Sequence, residues 1–320
     1  MVSKNLKKGI LCGVIGVFLI SLQPIISNSR PSIIDPYIFA TMSAIIQVSI
    51  FFPLYFLERK KLKRRISNFS EISEKIKSLL NGWKKKENIL LIMIMGISFS
   101  AVPVLLYIGF ELAGAILSSL ALKSEIIFAL LFGFLILKEK ITKTQIFFSI
   151  ILFIGLFIAI SQGSFNFLEF NMGVSILIIS VALFTLIHTL TKIGLDKNEL
   201  FSTQIVFFRN LISGVILFFT YITIFPLSNL LIILDPFNFL FFVLMGLVYG
   251  FSLYFWYKTL SYIEIGKAGI INSATPIISA FFASIILGEI FTIYHLIGMI
   301  IVIFSIIMIV RQRKKEKITV

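Results

Sequence analysis

Cysteine and histidine are scarce in this sequence, and their scarcity excludes several classes of protein. Cys12 is the single cysteine, so the chain can form no internal disulfide and no cysteine-rich metal site. The two histidines, His188 and His295, are too few for the usual ligands of a zinc site. HExxH, Gly-x-Ser-x-Gly, a phosphate-binding loop and paired aspartates within helices are also missing. We therefore expect no metal, no cofactor and no enzyme chemistry.

Charged residues are few as well, at 14% of the chain, whereas hydrophobic residues make up 58%. A soluble protein of 320 residues could not cover that much apolar surface, so the lipid bilayer must be the solvent for most of the chain. The net charge of +14 has the sign that attracts nucleic acid. The basic residues lie at the ends of apolar runs, however, where membrane orientation explains them, and we predict no nucleic-acid partner.

Ten stretches of the sequence are long and apolar enough to be membrane-spanning helices, since a hydrocarbon core of ~30 Å takes about 20 residues. The predicted spans are 9–27, 36–57, 89–109, 114–137, 144–162, 172–192, 202–224, 238–257, 267–287 and 292–310. The first span follows three lysines, as in a signal peptide, but it is long and lacks a convincing cleavage site, so we expect a retained helix. The predicted fold class is an all-α integral membrane protein with ten transmembrane helices.

The basic residues divide sharply between the two sides of the membrane. With the N-terminus inside, cytoplasmic segments hold 26 of the 29 Lys and Arg residues, and the outer loops hold only Arg30. The other two, Lys123 and Arg209, lie inside predicted helices. Because cytoplasmic loops are enriched in Lys and Arg, both termini are predicted to be cytoplasmic. Five helices per half is an odd number, so the two halves are predicted to be inverted repeats.

Two hairpins, 137–142 and 287–292, support this duplication. They lie 150 residues apart and place Leu, Glu and Thr at the same offsets, but only the first contains lysines. If basic loops stay in the cytoplasm, the hairpins face opposite sides, which is typical of inverted-repeat transporters. A threonine can cap the following helix, and a nearby carboxylate suits the positive end of a helix dipole. The predicted structural hairpin caps are Glu139, Thr142, Glu289 and Thr292; an ion or substrate ligand is the alternative role for the glutamates.

The segment 58–88 is the longest polar part of the chain. It contains eleven basic residues, and apolar residues recur at helical spacing from Ile66 to Trp83. We predict an interfacial amphipathic helix that rests on anionic lipid headgroups as a topology anchor and linker. The alternative is a regulatory or partner-binding loop.

Short motifs occur in a characteristic order along each half of the sequence. They are 126–130 and 138–142 in the first half, and 207–210, 257–262, 267–269, 275–277 and 287–289 in the second. This set resembles the drug/metabolite transporter superfamily in its EamA-domain form. The resemblance implies one repeat at 1–163 with the loop 58–88, a second at 171–311, and a basic cytoplasmic tail at 312–320. It also implies that a small metabolite moves by alternating access at the interface of the two halves.

Charged residues within the spans are the strongest sign of a transport pathway. Lys123 and Glu125 lie near the middle of the fourth span, and Arg209 lies in the seventh. Each costs about 2.5–3.5 kcal/mol at a helix centre on insertion scales, so each should face the bundle interior or water. In one interpretation, Lys123 or Arg209 binds an anionic group while Glu125 binds an amine or a coupling proton. In the other, Glu125 forms a buried ion pair with one of the two cations.

Weaker signals come from polar and aromatic residues in other spans. Asn272 precedes Pro276, which removes a backbone donor and can leave a carbonyl free. The remaining predicted pathway residues are Tyr107, Trp256, Tyr257 and His188. Packing or an interfacial belt is the alternative for the aromatic residues, and a neutral, hydrogen-bonded role is the alternative for the histidine.

These observations predict a multi-pass secondary transporter of the plasma (inner) membrane. By resemblance it moves a small organic metabolite. Lys123, Arg209 and Glu125 indicate an amino acid-like, zwitterionic or anionic solute, and we predict export. Coupling of transport to a proton and assembly as a homodimer are both compatible with these observations. The alternative is a membrane sensor or scaffold that transports nothing, and a substrate-induced rise in thermal stability would argue against it.

Overall fold

Long apolar runs with few breaks make this chain helical along most of its length. In the computed structural model, all regular elements of the described residues are helices. The structure describes residues 4–68, 73–138, 140–162, 171–197, 199–262, 268 and 271–316. The helices are α1 (Lys4–Ser29), α2 (Pro36–Asn68), α3 (Ser73–Asn81), α4 (Lys86–Ala113), α5 (Ala115–Ala121), α6 (Glu125–Leu137), α7 (Lys143–Ser161), α8 (Met172–Asp196), α9 (Ser202–Ile224), α10 (Pro236–Tyr262), α11 (Thr275–Phe282) and α12 (Ile293–Glu316).

An Asp-Pro pair starts two of the spans, α2 and α10. The Asp35 carboxylate accepts hydrogen bonds from the backbone N–H groups of Tyr37 (2.8 Å) and Ile38 (2.9 Å). The Asp235 carboxylate likewise accepts one from Asn238 N–H (2.9 Å). The proline after each aspartate occupies the first helical position, where no N–H donor is needed.

Nine helices within the described residues are long and apolar enough to cross a membrane. One of them, Ala115–Ile136, consists of α5, a 3₁₀ turn and most of α6. A shorter apolar helix, Thr275–Leu287, falls in the predicted ninth span, and part of that span lies outside the described residues. Large apolar side chains such as Phe134 and Leu135 are exposed on the spans, as lipid contact requires. The predicted all-α membrane fold is confirmed.

One compact unit, unit 1, is formed by Met1–Arg30, Leu105–Thr185 and Phe251–Val320. Its most extensive helix contact joins α7 and α12. A Cβ atom added to Gly298 would lie only 2.5 Å from the Gly155 carbonyl oxygen, so these two backbones touch, as small residues in membrane helices allow. In the same unit, α1 packs against α11.

The second compact unit, unit 2, is formed by Pro31–Val104 and Leu186–Gly250. Its main helix contact joins α2 and α9. The Tyr55 ring of α2 stacks on the Phe207 ring of α9, with the centroids 5.4 Å apart and the planes 9° apart. Unit 2, like unit 1, therefore combines helices from the first and the second half of the sequence.

The polar segment 58–88 contains the end of α2, all of α3 and a 3₁₀ turn, Gly82–Lys84. Helix α3 packs against α2, which buries Ile76 and Leu80. The Trp83 ring stacks on Phe208 with 5.4 Å between the centroids. Ile76 and Leu80 are therefore buried within the protein, while the contact of this segment with lipid headgroups stays a prediction.

Candidate functional site

Two interrupted helices form the centre of the candidate site in unit 1. The fourth span breaks at a 3₁₀ turn, Leu122–Ser124, between α5 and α6. The ninth restarts at Thr275 with Pro276 in the first turn of α11. A proline lacks the N–H that would continue the backbone ladder, and a 3₁₀ turn changes which carbonyls are paired. Both interruptions therefore place polar backbone groups within apolar spans.

Lys123 joins these two interruptions. The residue is only 4% exposed, and its Nζ donates a hydrogen bond of 2.8 Å to the Asn272 carbonyl oxygen. The Thr275 hydroxyl donates to the same carbonyl (2.8 Å) and to the Asn272 side-chain oxygen (3.0 Å). Two of the predicted pathway residues, Lys123 and Asn272, are thus in direct contact although 149 positions separate them.

Glu125 is the first residue of α6 and is half-buried. It lies within electrostatic reach of Lys123, but two residues along a helix are about 200° apart, so the two side chains leave in different directions. The fully buried Ser124 hydroxyl between them has no hydrogen-bond partner among the described residues. An ammonium group has three N–H donors, and a carboxyl group can take up a proton. The centre can therefore hold an anionic group and carry a proton.

Helix α1 contributes polar contacts that the sequence did not single out. The Ser279 hydroxyl of α11 donates to the Ser21 carbonyl oxygen (2.8 Å). The Gln23 side-chain amide donates to the Ser252 hydroxyl of α10 (3.2 Å). The sequence could have indicated these contacts, because polar side chains within an apolar run face other helices rather than lipid.

The three predicted aromatic pathway residues also lie in unit 1. Tyr107 is buried at the end of α4, where its ring centroid lies 6.2 Å from that of Phe110. On α10, Tyr257 is buried and Trp256 is half-buried. The Trp256 backbone nitrogen would lie 3.7 Å from a Cβ atom added to Gly16, which places this part of α10 against α1.

Arg209 and His188, the other predicted pathway residues, lie together in unit 2. The Arg209 guanidinium carbon is 4.1 Å from the centroid of the Phe99 ring and 5.7 Å from that of Tyr249. The His188 ring stacks on the same Phe99 ring at 6.0 Å. Arg209 also donates to the side-chain oxygen of Asn210, the neighbour that the sequence motif included but did not assign a role.

A model of the EamA-like transporter family matches residues 7–161 and 171–311. The chain belongs to the EamA-like transporter family. The proteins of the EamA family are transporters rather than enzymes, so this chain is a multi-pass membrane protein of a transporter family. None of the curated proteins searched matches the chain. A solved crystal structure, described only as that of a protein, is similar in fold: it has a TM-score of 0.65 at 11% identity and covers 94% of this chain and 96% of its own.

In both hairpins of this EamA-family chain, the threonine caps the helix that follows it. Thr142 caps α7 in a reciprocal pair: its Oγ1 accepts from Gln145 N–H (3.1 Å), and its N–H donates to the Gln145 side-chain oxygen (2.9 Å). Thr292 forms the same kind of pair with His295, at 3.2 and 3.3 Å. Glu139 lies outside the described residues.

Glu289 accepts hydrogen bonds from the start of α5, and not from α12, the helix that follows it in the sequence. Its two carboxylate oxygens accept from the backbone N–H groups of Ala115 (2.6 Å) and Ile116 (2.9 Å), which begin α5. The carboxylate therefore stabilises the positive end of α5, 173 and more positions away, instead of its own hairpin.

Proposed function

We propose that this EamA-family chain is a secondary transporter that moves a small zwitterionic or anionic metabolite by alternating access. The contact between Lys123 Nζ and the Asn272 carbonyl carries the proposal. It places an ionic side chain beside two helix interruptions within apolar spans, where both the charge and any unpaired backbone group are costly. Secondary transporters use interrupted helices of this kind to bind their substrates and coupling ions.

The two charged residues have separate roles in this proposal. Lys123, buried and bound to one carbonyl oxygen, binds the anionic group of the solute with its remaining N–H donors. Glu125, half-buried on the adjacent turn, carries the coupling proton. The alternative, in which the two form a structural ion pair, is less well supported, because no ion pair joins them among the described residues.

The proposal also specifies the membrane in which the protein lies, the orientation of the chain and the direction of transport. The cytoplasmic location of both termini follows from the charge distribution, with exposed basic residues such as Lys61 and Lys63 at the end of α2 close to anionic lipid. Export across the plasma membrane rests on the family resemblance.

Flux into proteoliposomes tests the proposal. The purified chain is reconstituted and its uptake of isotopically labelled amino acids is measured with and without an outwardly directed proton gradient, which drives uptake when protons leave the vesicles in exchange for the solute. Lys123→Met should lower uptake by about 10- to 100-fold, since it removes a charge-assisted hydrogen bond to the solute. Glu125→Gln should leave exchange of solute in place but make it insensitive to the proton gradient.

Lys140→Met is the matched control, since it removes the same charge from an exposed position beside α7. It should leave uptake unchanged. Full uptake by Lys123→Met, or no uptake of any labelled amino acid by the unchanged chain, would contradict the proposal.

A further inference from the structure

The segment that joins α9 to α10 in unit 2 is apolar, yet none of its helical part is buried in the protein. This part is a 3₁₀ helix, Leu227–Leu234, in which six of the eight residues are leucine or isoleucine. Leu227, Leu231 and Leu234 are 66%, 64% and 76% exposed, and we call these three residues the leucine patch. An exposed apolar patch of this kind marks a surface that contacts lipid or another protein.

Both ends of the segment are fixed to the helices of unit 2. At its start, the Phe225 ring stacks on the Tyr221 ring with 4.6 Å between the centroids and lies 5.7 Å from the Tyr37 ring. The Phe225 N–H also donates to the Tyr221 carbonyl oxygen (2.8 Å). At its end, the Asp235 carboxylate accepts from Asn238 N–H in the first turn of α10. The leucine patch is therefore held in place while it is exposed, and it does not fold back into the core of unit 2.

The surroundings of the leucine patch are apolar as well. Between Arg209 and Lys258 the sequence has one charged residue, Asp235, whose carboxylate faces the start of α10. Ile224, which ends α9, and Phe237, which lies in the first turn of α10, are both exposed. The apolar surface therefore continues from the patch onto the exposed sides of the two flanking spans.

This continuity favours lipid over a protein as the occupant of the patch. A protein interface usually has a polar rim, whereas apolar residues flank the leucine patch on both sides. The exposed sides of membrane-spanning helices are covered by acyl chains. The same acyl chains can cover the patch without a break.

The length of α9 indicates the depth of the segment in the membrane. The helix has 23 residues and, at ~1.5 Å per residue, extends about 34 Å, which is longer than a hydrocarbon core of ~30 Å. The segment after it therefore lies at the boundary between the acyl chains and the headgroups. Its 3₁₀ turns begin with a hydrogen bond from Asn229 N–H to the Pro226 carbonyl oxygen (3.0 Å), and such pairing lowers the cost of contact with acyl chains.

We propose that Leu227–Leu234 is a lipid anchor, which lies along the membrane surface and inserts the leucine patch among the acyl chains of one leaflet. The charge distribution puts this connection on the outer side, so the leaflet is the outer one. Apolar faces bind at this depth in proportion to the apolar area that they bury. The anchor fixes the depth of the adjoining ends of α9 and α10. It depends neither on the identity of the solute nor on transport.

Nitroxide spin labels at single cysteines test the anchor. In a Cys12→Ser background, Leu231→Cys or Leu234→Cys is labelled in the full chain, which is then reconstituted in vesicles of phosphatidylcholine and phosphatidylglycerol. Molecular oxygen dissolves preferentially among acyl chains, whereas a nickel chelate stays in water. At both positions the label should collide more often with oxygen than with the chelate. The second position keeps the test decisive if one of the two variants fails to fold.

Ser32→Cys, in the same background, is the matched control. Ser32 is exposed and polar, and it lies at the same end of unit 2, because the Asp35 carboxylate after it accepts a hydrogen bond from the Tyr221 hydroxyl (3.3 Å). A label at this position should collide mainly with the chelate.

Three results would overturn the proposal. In the first, the labels at positions 231 and 234 collide with the chelate as often as the label at position 32, which would place the patch in water. In the second, they are shielded from both oxygen and the chelate, which would show that protein covers the patch. In the third, unlabelled Leu231→Cys chains form disulfides with one another in the vesicles, which would make a second copy of the chain the occupant.

Discussion

A carboxylate can stabilise a helix that is distant in sequence, and Glu289 does so for α5. The chain enters this helix through Gly114, whose φ of +77° is unfavourable for other residues. Gly114 has no side chain to accept from the first N–H groups of the helix, and Glu289 supplies both acceptor oxygens instead. The negative charge also offsets the positive end of the helix dipole. The short helix before the Lys123 interruption therefore depends on a residue from the other half of the chain.

Removal of the Glu289 carboxylate should destabilise the protein. We expect Glu289→Ala to lower the free energy of unfolding by about 0.5–2 kcal/mol, the range for loss of a helix cap. Glu289→Gln, which keeps one acceptor oxygen, should lose less. Denaturant unfolding in detergent measures both variants. Glu87→Ala is the control, because that carboxylate is 81% exposed and lies 3.5 Å from Lys197, which is itself 51% exposed, a contact that contributes about 0–1 kcal/mol. Equal losses in the Glu87 and Glu289 variants would show that the cap has no special role.

At the scale of elements, a polar cluster fastens the start of α4 to the segment before α9. The Glu199 carboxylate accepts hydrogen bonds from Lys85 and from Asn88 (2.7 Å), and Asn88 also donates to the Gly82 carbonyl (2.9 Å). The bonds from Lys85 and Asn88 hold the pKa of Glu199 below its ordinary value of 4.5, although burial acts in the opposite direction. This cluster ties together two spans of unit 2 outside the apolar region.

The stability that Glu199 contributes should therefore depend on pH. A carboxyl group whose pKa is lower in the folded state stabilises the fold above its unfolded pKa of 4.5 and ceases to do so as pH falls through the folded pKa. We expect Glu199→Gln to lower the free energy of unfolding by about 1–3 kcal/mol at pH 7. The difference from the unchanged chain should shrink below pH 4.5.

Unfolding in detergent at several pH values between 7 and 3 measures this difference. Glu87→Gln is the matched control, since that carboxylate is largely exposed and lies 3.5 Å from Lys197. Its effect should be small at every pH. A Glu199→Gln difference that stays constant down to pH 3 would exclude the carboxylate as its source.

For the whole molecule, apolar run length predicts most of the fold. The predicted seventh span, 202–224, coincides with α9, because both of its ends fall where the apolar run stops. Helix α2 continues to Asn68, beyond the predicted 57, because a helix can extend past the apolar region into the basic segment. The sequence does not predict the break at Leu122–Ser124, since the fourth span contains no proline that would mark it.

The sequence predicts individual residues of the candidate site, but it does not predict which residues contact one another. Intramembrane charge predicts that Lys123 and Arg209 face the protein interior, and both are buried, at 4% and 1% exposure, while their place on a transport pathway stays a prediction. The partners of these residues, Asn272 and Asn210 with Gln47, depend on which helices pack together. Helix packing is set by side-chain shape over many contacts, and a single sequence does not display it.

Because the two repeats are inverted, their equivalent hairpins should face opposite sides of the membrane. Single accessible cysteines can test this expectation. In a Cys12→Ser background, a membrane-impermeant maleimide is applied to intact cells that express either Lys140→Cys or Ile290→Cys. Both positions are exposed, Ile290 at 81%, and they occupy corresponding places in the two hairpins. Ile290→Cys should react in intact cells, whereas Lys140→Cys should react only after permeabilisation, because the charge distribution predicts that the lysine-containing hairpin is cytoplasmic. Labelling of both positions from the same side would contradict an odd number of spans per repeat, since five crossings must carry equivalent hairpins to opposite faces.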